Sequence, residues 1–378
     1  MDLGFLINTR TMMVSLPPAK LADAVTLLTS FTLPRRSVSL REVARLVGTL
    51  THMCTICHWG RYHFNALTHS IKVALHCNDA HLRLQPQFTH WVRLIAERSR
   101  AGPPTSGDLA SYFRTKQARA LWNCPLKVFI TTEMRHDVDR LHEVLSDPSQ
   151  YPWQSPISHM IPRDPSFTAY GDASIMAGGG YSFDLRFWWH LEWPSEIHRR
   201  TIKFWDDNKE RLVSINLLEF IVIILNYAAS LLAIRTSPPP HDPYPVLRNF
   251  ADNRSAIQWS SRAAKSSPHA QALGRILSDL LLTSPLALDS SFIPGVENTV
   301  ADAISRSDLT SYLKLHAALT QAYPSLASCR RYHPSPELLS VIFSALSDAS
   351  TPNLGKTVPL GLFSPASATG QPLPRNIT

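Results

Sequence analysis

The chain has 378 residues, 44% hydrophobic and 17% charged, with 29 prolines. That balance excludes wholesale disorder and suits two or three folded domains joined by proline-rich connections. The net charge of +8 is uneven: residues 1–150 carry 18 basic and 11 acidic side chains, residues 151–310 carry 14 and 16, and residues 311–378 carry five and two. A basic first part suits phosphate contact, and a slightly acidic middle suits a carboxylate metal site.

Taken in chain order, Leu3–Ile7 reads as a short strand that opens abruptly, as though a domain had been cut. A helical pattern follows Pro17-Pro18 (Leu21, Val25, Leu28, Phe31), and Ser39-x-x-Glu42 is a capping box opening a helix to about Met53. Further helices are expected near 59–75, 87–98 and 108–121, and residues 148–165 form a proline- and serine-rich linker. Phe167–Ser174 reads as a strand, Gly178–Gly180 as a turn, the alternation from Tyr181 to Phe187 as a second strand and Trp188–Trp193 as a third. A long helix covers residues 216–234, followed by a strand at 246–251, helices near 255–263 and 270–283, a strand at 286–293 and a helix from about 298. The sum is a mixed α/β layer fold. Beyond 310 a short helix is expected at Ser335-Pro336-Glu337 and disorder from 349 onward.

Residues 215–234 are apolar enough to raise a membrane span, yet Asn216, Glu219, Asn226 and Ser230 fall on one helical stripe. A buried helix turning that stripe toward a site costs less than a charge in a bilayer, so no membrane is expected. Five cysteines at irregular spacing make no disulfide framework. No basic region precedes an apolar run at the N-terminus, which points to an intracellular protein of cytoplasm or nucleus. Cys54-Thr-Ile-Cys57-His58 fits haem attachment in pattern, and seven histidines between 52 and 90 raise a zinc site. The first lacks export and the second lacks finger spacing, so neither is adopted. Gly178–Gly180 lacks the Lys-Ser/Thr of a phosphate loop.

Four carboxylates stand at element ends: Asp172 on a strand, Glu219 in the apolar helix, Asp252 after a strand, and Asp302 at a helix start. Each has a bland alternative: a turn residue for Asp172, an internal partner for Glu219, a helix cap for Asp252, and a capping box with Thr299 for Asp302. Together they suit a crevice where strand ends and helix starts converge. Clustered carboxylates repel unless divalent cations bind them, and Mg²⁺ takes oxygen ligands.

The motifs Tyr170-Gly-Asp-Ala-Ser174, Leu217-Leu-Glu-Phe220, Ala251-Asp-Asn253 and Ile293–Arg306 resemble the ribonuclease H domain of retrotransposon reverse transcriptases of the DIRS-like and gypsy-like kinds. That resemblance implies a ribonuclease H-like mixed sheet with flanking helices over 166–310. It implies an Asp–Glu–Asp–Asp quartet on Asp172, Glu219, Asp252 and Asp302, both catalytic and metal-binding, and two Mg²⁺ ions, with Mn²⁺ as a substitute. It also implies an RNA–DNA hybrid as substrate, with Ser174, Asn253 and Asn298 as candidate substrate contacts. Leu3–Asn8, Ser15–Lys20 and Leu40–Leu50 resemble the end of the polymerase palm and a helical thumb and connection, here over 1–150. The short helices and tail of 311–378 follow. The family's polymerase aspartates precede the Leu-Gly-Phe strand, and the Asp206-Asp207 pair lies elsewhere, so polymerase activity would belong to a missing partner segment. Phe292 stands where relatives often carry a histidine, which leaves proton transfer to water. The alternative expectation is an inactive element remnant that only binds nucleic acid, with a transposase or integrase nuclease as a third.

Overall fold

A computed structural model describes residues 4–32, 34–83, 90, 92–94, 107–108, 111, 127–149, 151–206, 213–237, 241–263, 267–282, 284–306, 312–348 and 363–365. Most of the helices expected at 87–98 and 108–121, Asp207, and most of the tail expected to be disordered lie outside these residues. The chain divides into two compact units, residues 1–7 with 14–154 and residues 8–13 with 155–378.

The first unit is helical, with helices Pro18–Thr32, Leu40–Met53, Asn65–Arg83 and Thr132–Ser146 and the 3₁₀ turn His58–His63. The capping box at Ser39 forms in both directions: the Ser39 hydroxyl accepts from the Glu42 amide and Glu42 accepts from the Ser39 amide. Two orphan donors are thereby satisfied at the helix start. Of the predicted stripe Leu21, Val25, Leu28 and Phe31, the last two are buried and the first two only partly so. Leu46 and Leu50 are buried as well, as are Met134 and Leu141 of Thr132–Ser146, a helix not expected from the sequence. The strand at the start is Leu6–Asn8, shorter than expected. Cys54 and Cys57 are buried here, and burial pushes the Cys54 thiol up to about 12 and raises Cys57 as well. Both therefore serve as small apolar core groups.

The second unit holds the mixed α/β layer. Its strands are β1 (Phe167–Ala173), β2 (Ala177–Ser182), β3 (Phe187–Glu192), β4 (Val246–Ala251), β5 (Ala287–Phe292), β6 (Arg330–Pro334) and β7 (Phe363–Pro365). Its helices are α1 (Ser195–Asp206), α2 (Ile215–Thr236), α3 (Arg254–Arg262), α4 (Pro268–Leu282), α5 (Thr299–Ser305), α6 (Tyr312–Ala322) and α7 (Pro336–Asp348). The sheet order is β5-β4-β1-β2-β3-β6-β7. The first three strands form an antiparallel meander, while β4 runs parallel to β1 and β5 parallel to β4. The sheet continues past residue 310, because β6 pairs in parallel with β3.

The glycine run is a strand and not a turn. Gly178, Gly179 and Gly180 lie inside β2, and β2 is hydrogen-bonded on both edges. A Cβ at Gly179 would stand 2.4 Å from Ile304 of α5, and one at Gly180 would stand 2.0 Å from Asn226 of α2. The β1–β2 connection lies instead at residues 174–176, a second turn follows at 183–186, and the alternation read through Phe187 spans two strands. Glycine normally weakens a strand, and here it allows helices to close on both faces. The Asp206-Asp207 pair begins at the end of α1, where a polar loop was expected.

α2 is long and apolar enough to cross a membrane, but 89% of its most apolar stretch is buried inside the protein. Its polar stripe is engaged as a core helix requires. Asn226 accepts from the Trp189 indole at 2.7 Å and donates to Asn249 at 2.8 Å, and Ser230 donates to the Asn226 carbonyl. α2 packs on β1, β2 and β4. On the opposite face Ala301 and Ile304 of α5 join Leu315 and Leu319 of α6 over Tyr181 and Trp188.

Candidate functional site

Asp172 is the sixth residue of β1, and its side chain projects from the sheet face that α5 covers, the face on which a Cβ at its register partner Gly179 would meet Ile304 of α5. Glu219 comes from the opposite face, one turn into α2. Asp252 follows the last residue of β4. Parallel β1 and β4 therefore deliver their carboxylates at the same end of the sheet, where α2 and α5 begin.

The structure brings three of the four predicted carboxylates together: oxygens of Asp172, Glu219 and Asp252 all lie within 4.8 Å of one another. Asp172 and Glu219 are only 4% and 3% exposed. Asp302 lies outside this tight cluster, but its charge still raises the pKa of Asp172 and Asp252. The bland alternatives do not hold for Asp172, Asp252 and Asp302. Asp172 lies within a strand. Asn253, not Asp252, caps α3, accepting from the Ala256 amide at 3.0 Å. Asn298, not Thr299, occupies the N-cap position of α5, so Asp302 closes no capping box.

Glu219 is half partnered. Its Oε1 accepts from the Ala173 amide at 3.1 Å, and its Oε2 is buried without a hydrogen-bond partner among the described residues. Burial, followed by repulsion from Asp172 and Asp252, holds its carboxyl well above the usual range. Burial likewise raises Asp172, opposed by a hydrogen bond from Ser305, and raises Asp252. Three acid groups pushed up together by desolvation and like charge mark a place that favours an added positive charge.

Ser305 and Arg306 belong to the site and had no assigned role in the sequence reading. The Ser305 hydroxyl donates to Asp172 Oδ2, and the Arg306 Nε donates to Asp302 Oδ1. The signal for them was helical spacing: they stand three and four residues after Asp302, on its own face. Gly295 is a third contributor, since a Cβ there would lie 3.0 Å from Asp252 Oδ2.

The candidate substrate contacts have partners inside the protein. The Ser174 hydroxyl donates to the Ser305 carbonyl at 2.8 Å and accepts from the Ala177 amide. Asn253 caps α3 and donates to Asn216 at 2.8 Å. Asn298 is 1% exposed and donates to the Gly171 carbonyl at 3.0 Å, tying the start of α5 to β1. All three hold the carboxylate-bearing elements in place. Phe292 ends β5, and the Arg254 guanidinium lies 4.3 Å from its ring centre.

Comparison with protein-family models, with curated proteins and with solved structures finds no match for this chain. The functional reading therefore rests on the residues and their geometry.

Proposed function

We propose that the second unit is a ribonuclease H-type nuclease that cleaves the RNA strand of RNA–DNA hybrids, within a retroelement reverse transcriptase. The observation that carries this reading is the convergence of Asp172, Glu219 and Asp252 from a strand, a helix and a second strand far apart in sequence. The antiparallel β1–β3 meander extended by parallel β4 and β5, with helices on both faces, also supports a ribonuclease H-like fold.

The donor set fits Mg²⁺ or Mn²⁺. It is all carboxylate oxygen, which hard cations prefer over nitrogen and sulfur sites. It also includes the buried, unpartnered Glu219 Oε2. Asp172, Glu219 and Asp252 would hold such ions, with Asp302 at the edge. When bound, divalent cations supply Lewis-acid polarisation of a phosphodiester and of the attacking water.

The remaining work falls to the chain. The Ala173 amide fixes Glu219, and the Ser305 hydroxyl fixes Asp172 and favours its ionised form. Asn298 anchors α5, so Asp302 keeps its distance from β1. No histidine stands at position 292, so protons leave to water. Selectivity for a hybrid would come from 2′-hydroxyl contacts and an A-like groove. The basic helical unit would act as the thumb and connection.

The test is cleavage of a labelled RNA–DNA hybrid by the full chain with Mg²⁺, with EDTA, and with Asp172→Asn. Cutting of the RNA strand that EDTA and the substitution both abolish is the expected result. A folded chain that binds the hybrid with steep salt dependence and never cuts it would instead be a nucleic-acid-binding remnant.

A further inference from the structure

Asp302, in the first turn of α5, and Arg306, its C-cap, stand four residues apart, the spacing at which helical side chains meet. Their ion pair is open to solvent, with the Arg306 side chain 64% and the Asp302 side chain 41% exposed. Arg306 also acts beyond its partner. Its charge lowers the pKa of Asp172, Glu219 and Asp252, against the burial and repulsion that raise them. One guanidinium thus serves four carboxylates as a built-in counter-charge. Arginine does not deprotonate in proteins, so this charge can be relieved only by movement. Arg306 is the C-cap of α5.

We propose that Arg306 is a displaceable counter-ion, which holds Asp302 in the cation-free protein, yields it to a divalent cation, and then pairs with a phosphodiester of the bound nucleic acid. This rests on the nuclease reading above. A cation and a guanidinium cannot share Asp302 Oδ1, and like charges at that separation repel. An exposed ion pair shifts an equilibrium by only about two- to fivefold, weak enough to be displaced. The freed guanidinium carries a planar fork of donors that matches phosphate oxygens.

The experiment titrates Mn²⁺ into the full chain, reading free Mn²⁺ by electron paramagnetic resonance, and measures hybrid binding separately. Arg306→Gln, Arg306→Lys, Asp302→Asn and the double variant Arg306→Gln with Asp302→Asn are compared, with circular dichroism melts confirming that each folds. Without nucleic acid, Arg306→Gln should bind Mn²⁺ about two- to fivefold more tightly. With Mn²⁺ present it should bind the hybrid more weakly, with the salt slope reduced by about one. Arg306→Lys should keep near-native Mn²⁺ affinity and still weaken hybrid binding. In the Asp302→Asn background, Arg306→Gln should tighten Mn²⁺ by less, because only its through-space charge on the other three carboxylates is then removed. Unchanged or weaker Mn²⁺ binding by Arg306→Gln, or tightening that is just as large without Asp302, overturns the counter-ion role. Unchanged hybrid binding overturns the phosphodiester contact. If the folded native chain binds no Mn²⁺, the nuclease reading falls as well. If it binds Mn²⁺ and cuts the hybrid while Arg306→Gln gains nothing, only this proposal falls.

Discussion

Glu219→Gln should stabilise the cation-free protein. Two ionised carboxylates 4.8 Å apart repel by about 3.5 kcal/mol at an effective dielectric of 20, so a fully ionised Asp172–Glu219–Asp252 cluster costs about 10 kcal/mol. That rivals the entire stability of a folded domain. The cluster escapes by retaining protons, and Glu219, the most desolvated of its charged neighbours Asp172, Asp252, Asp302 and Arg306, is pushed up furthest. A carboxyl whose folded pKa exceeds its unfolded value leaves stability untouched below the unfolded value, about 4.3 for Glu. Above it the unfolded chain ionises first, and stability falls with rising pH until the folded group also ionises. Glutamine removes that slope, keeps an oxygen for the Ala173 amide, and aims an N–H₂ at the neighbouring carboxylates. Ending the cost of the unpaired Oε2 gains about 1–3 kcal/mol, or about 3–10 °C. Thermal melts in EDTA from pH 5 to 8 measure this. Adding Mg²⁺ should raise the native melting temperature and leave the variant's nearly unmoved. A variant that melts below the native chain in EDTA at pH 8, or keeps the native pH slope, refutes the reasoning.

Ser305→Ala removes the hydrogen bond that lowers the Asp172 pKa, so the rising limb of the pH–rate profile should move to higher pH. The lost charge-assisted bond costs about 1.5–3 kcal/mol, readable as a lower denaturation midpoint. Gly179→Ala drives a Cβ into Ile304 and should cost about 1–3 kcal/mol while lowering cleavage, because α5 carries Asp302 and Ser305. Equal stability and equal rate would contradict the close approach. Asn226→Ala leaves the buried Trp189 indole N–H without its acceptor and should cost at least about 2 kcal/mol, measured by urea titration.

Much of the second unit could be read from sequence because its signals were local. The strand at Phe167 and the strand at Val246 each follow a proline-rich stretch, and the long helix ending near Thr236 is a sustained apolar run closed by another such stretch. The carboxylates were legible through their position at element ends, not through any one motif. The glycine run misled because composition reports what a residue permits and not what crowds it. Only the positions of Ile304, Asn226 and Trp193 show why β2 has no side chains there. The strand β6 was invisible since Arg330–Pro334 has no apolar–polar alternation in sequence, and it is set by its partners β3 and β7. The separation of Asp302 from the tight cluster also depends on tertiary placement. Arg306 is the local part of that result, and helix spacing alone made it readable.

The order of synthesis gives the buried helix α2 a history. It leaves the ribosome before β4, which flanks its sheet contact, and before α4, which packs against it. At about 5–20 residues per second, making the stretch from Ser237 to Leu282 takes about 2–9 s. During that interval a 22-residue apolar segment lacks most of its cover. The nascent chain is therefore most vulnerable to aggregation or membrane capture well before its last carboxylate motif exists, and its yield in a cell depends on what shields that helix meanwhile.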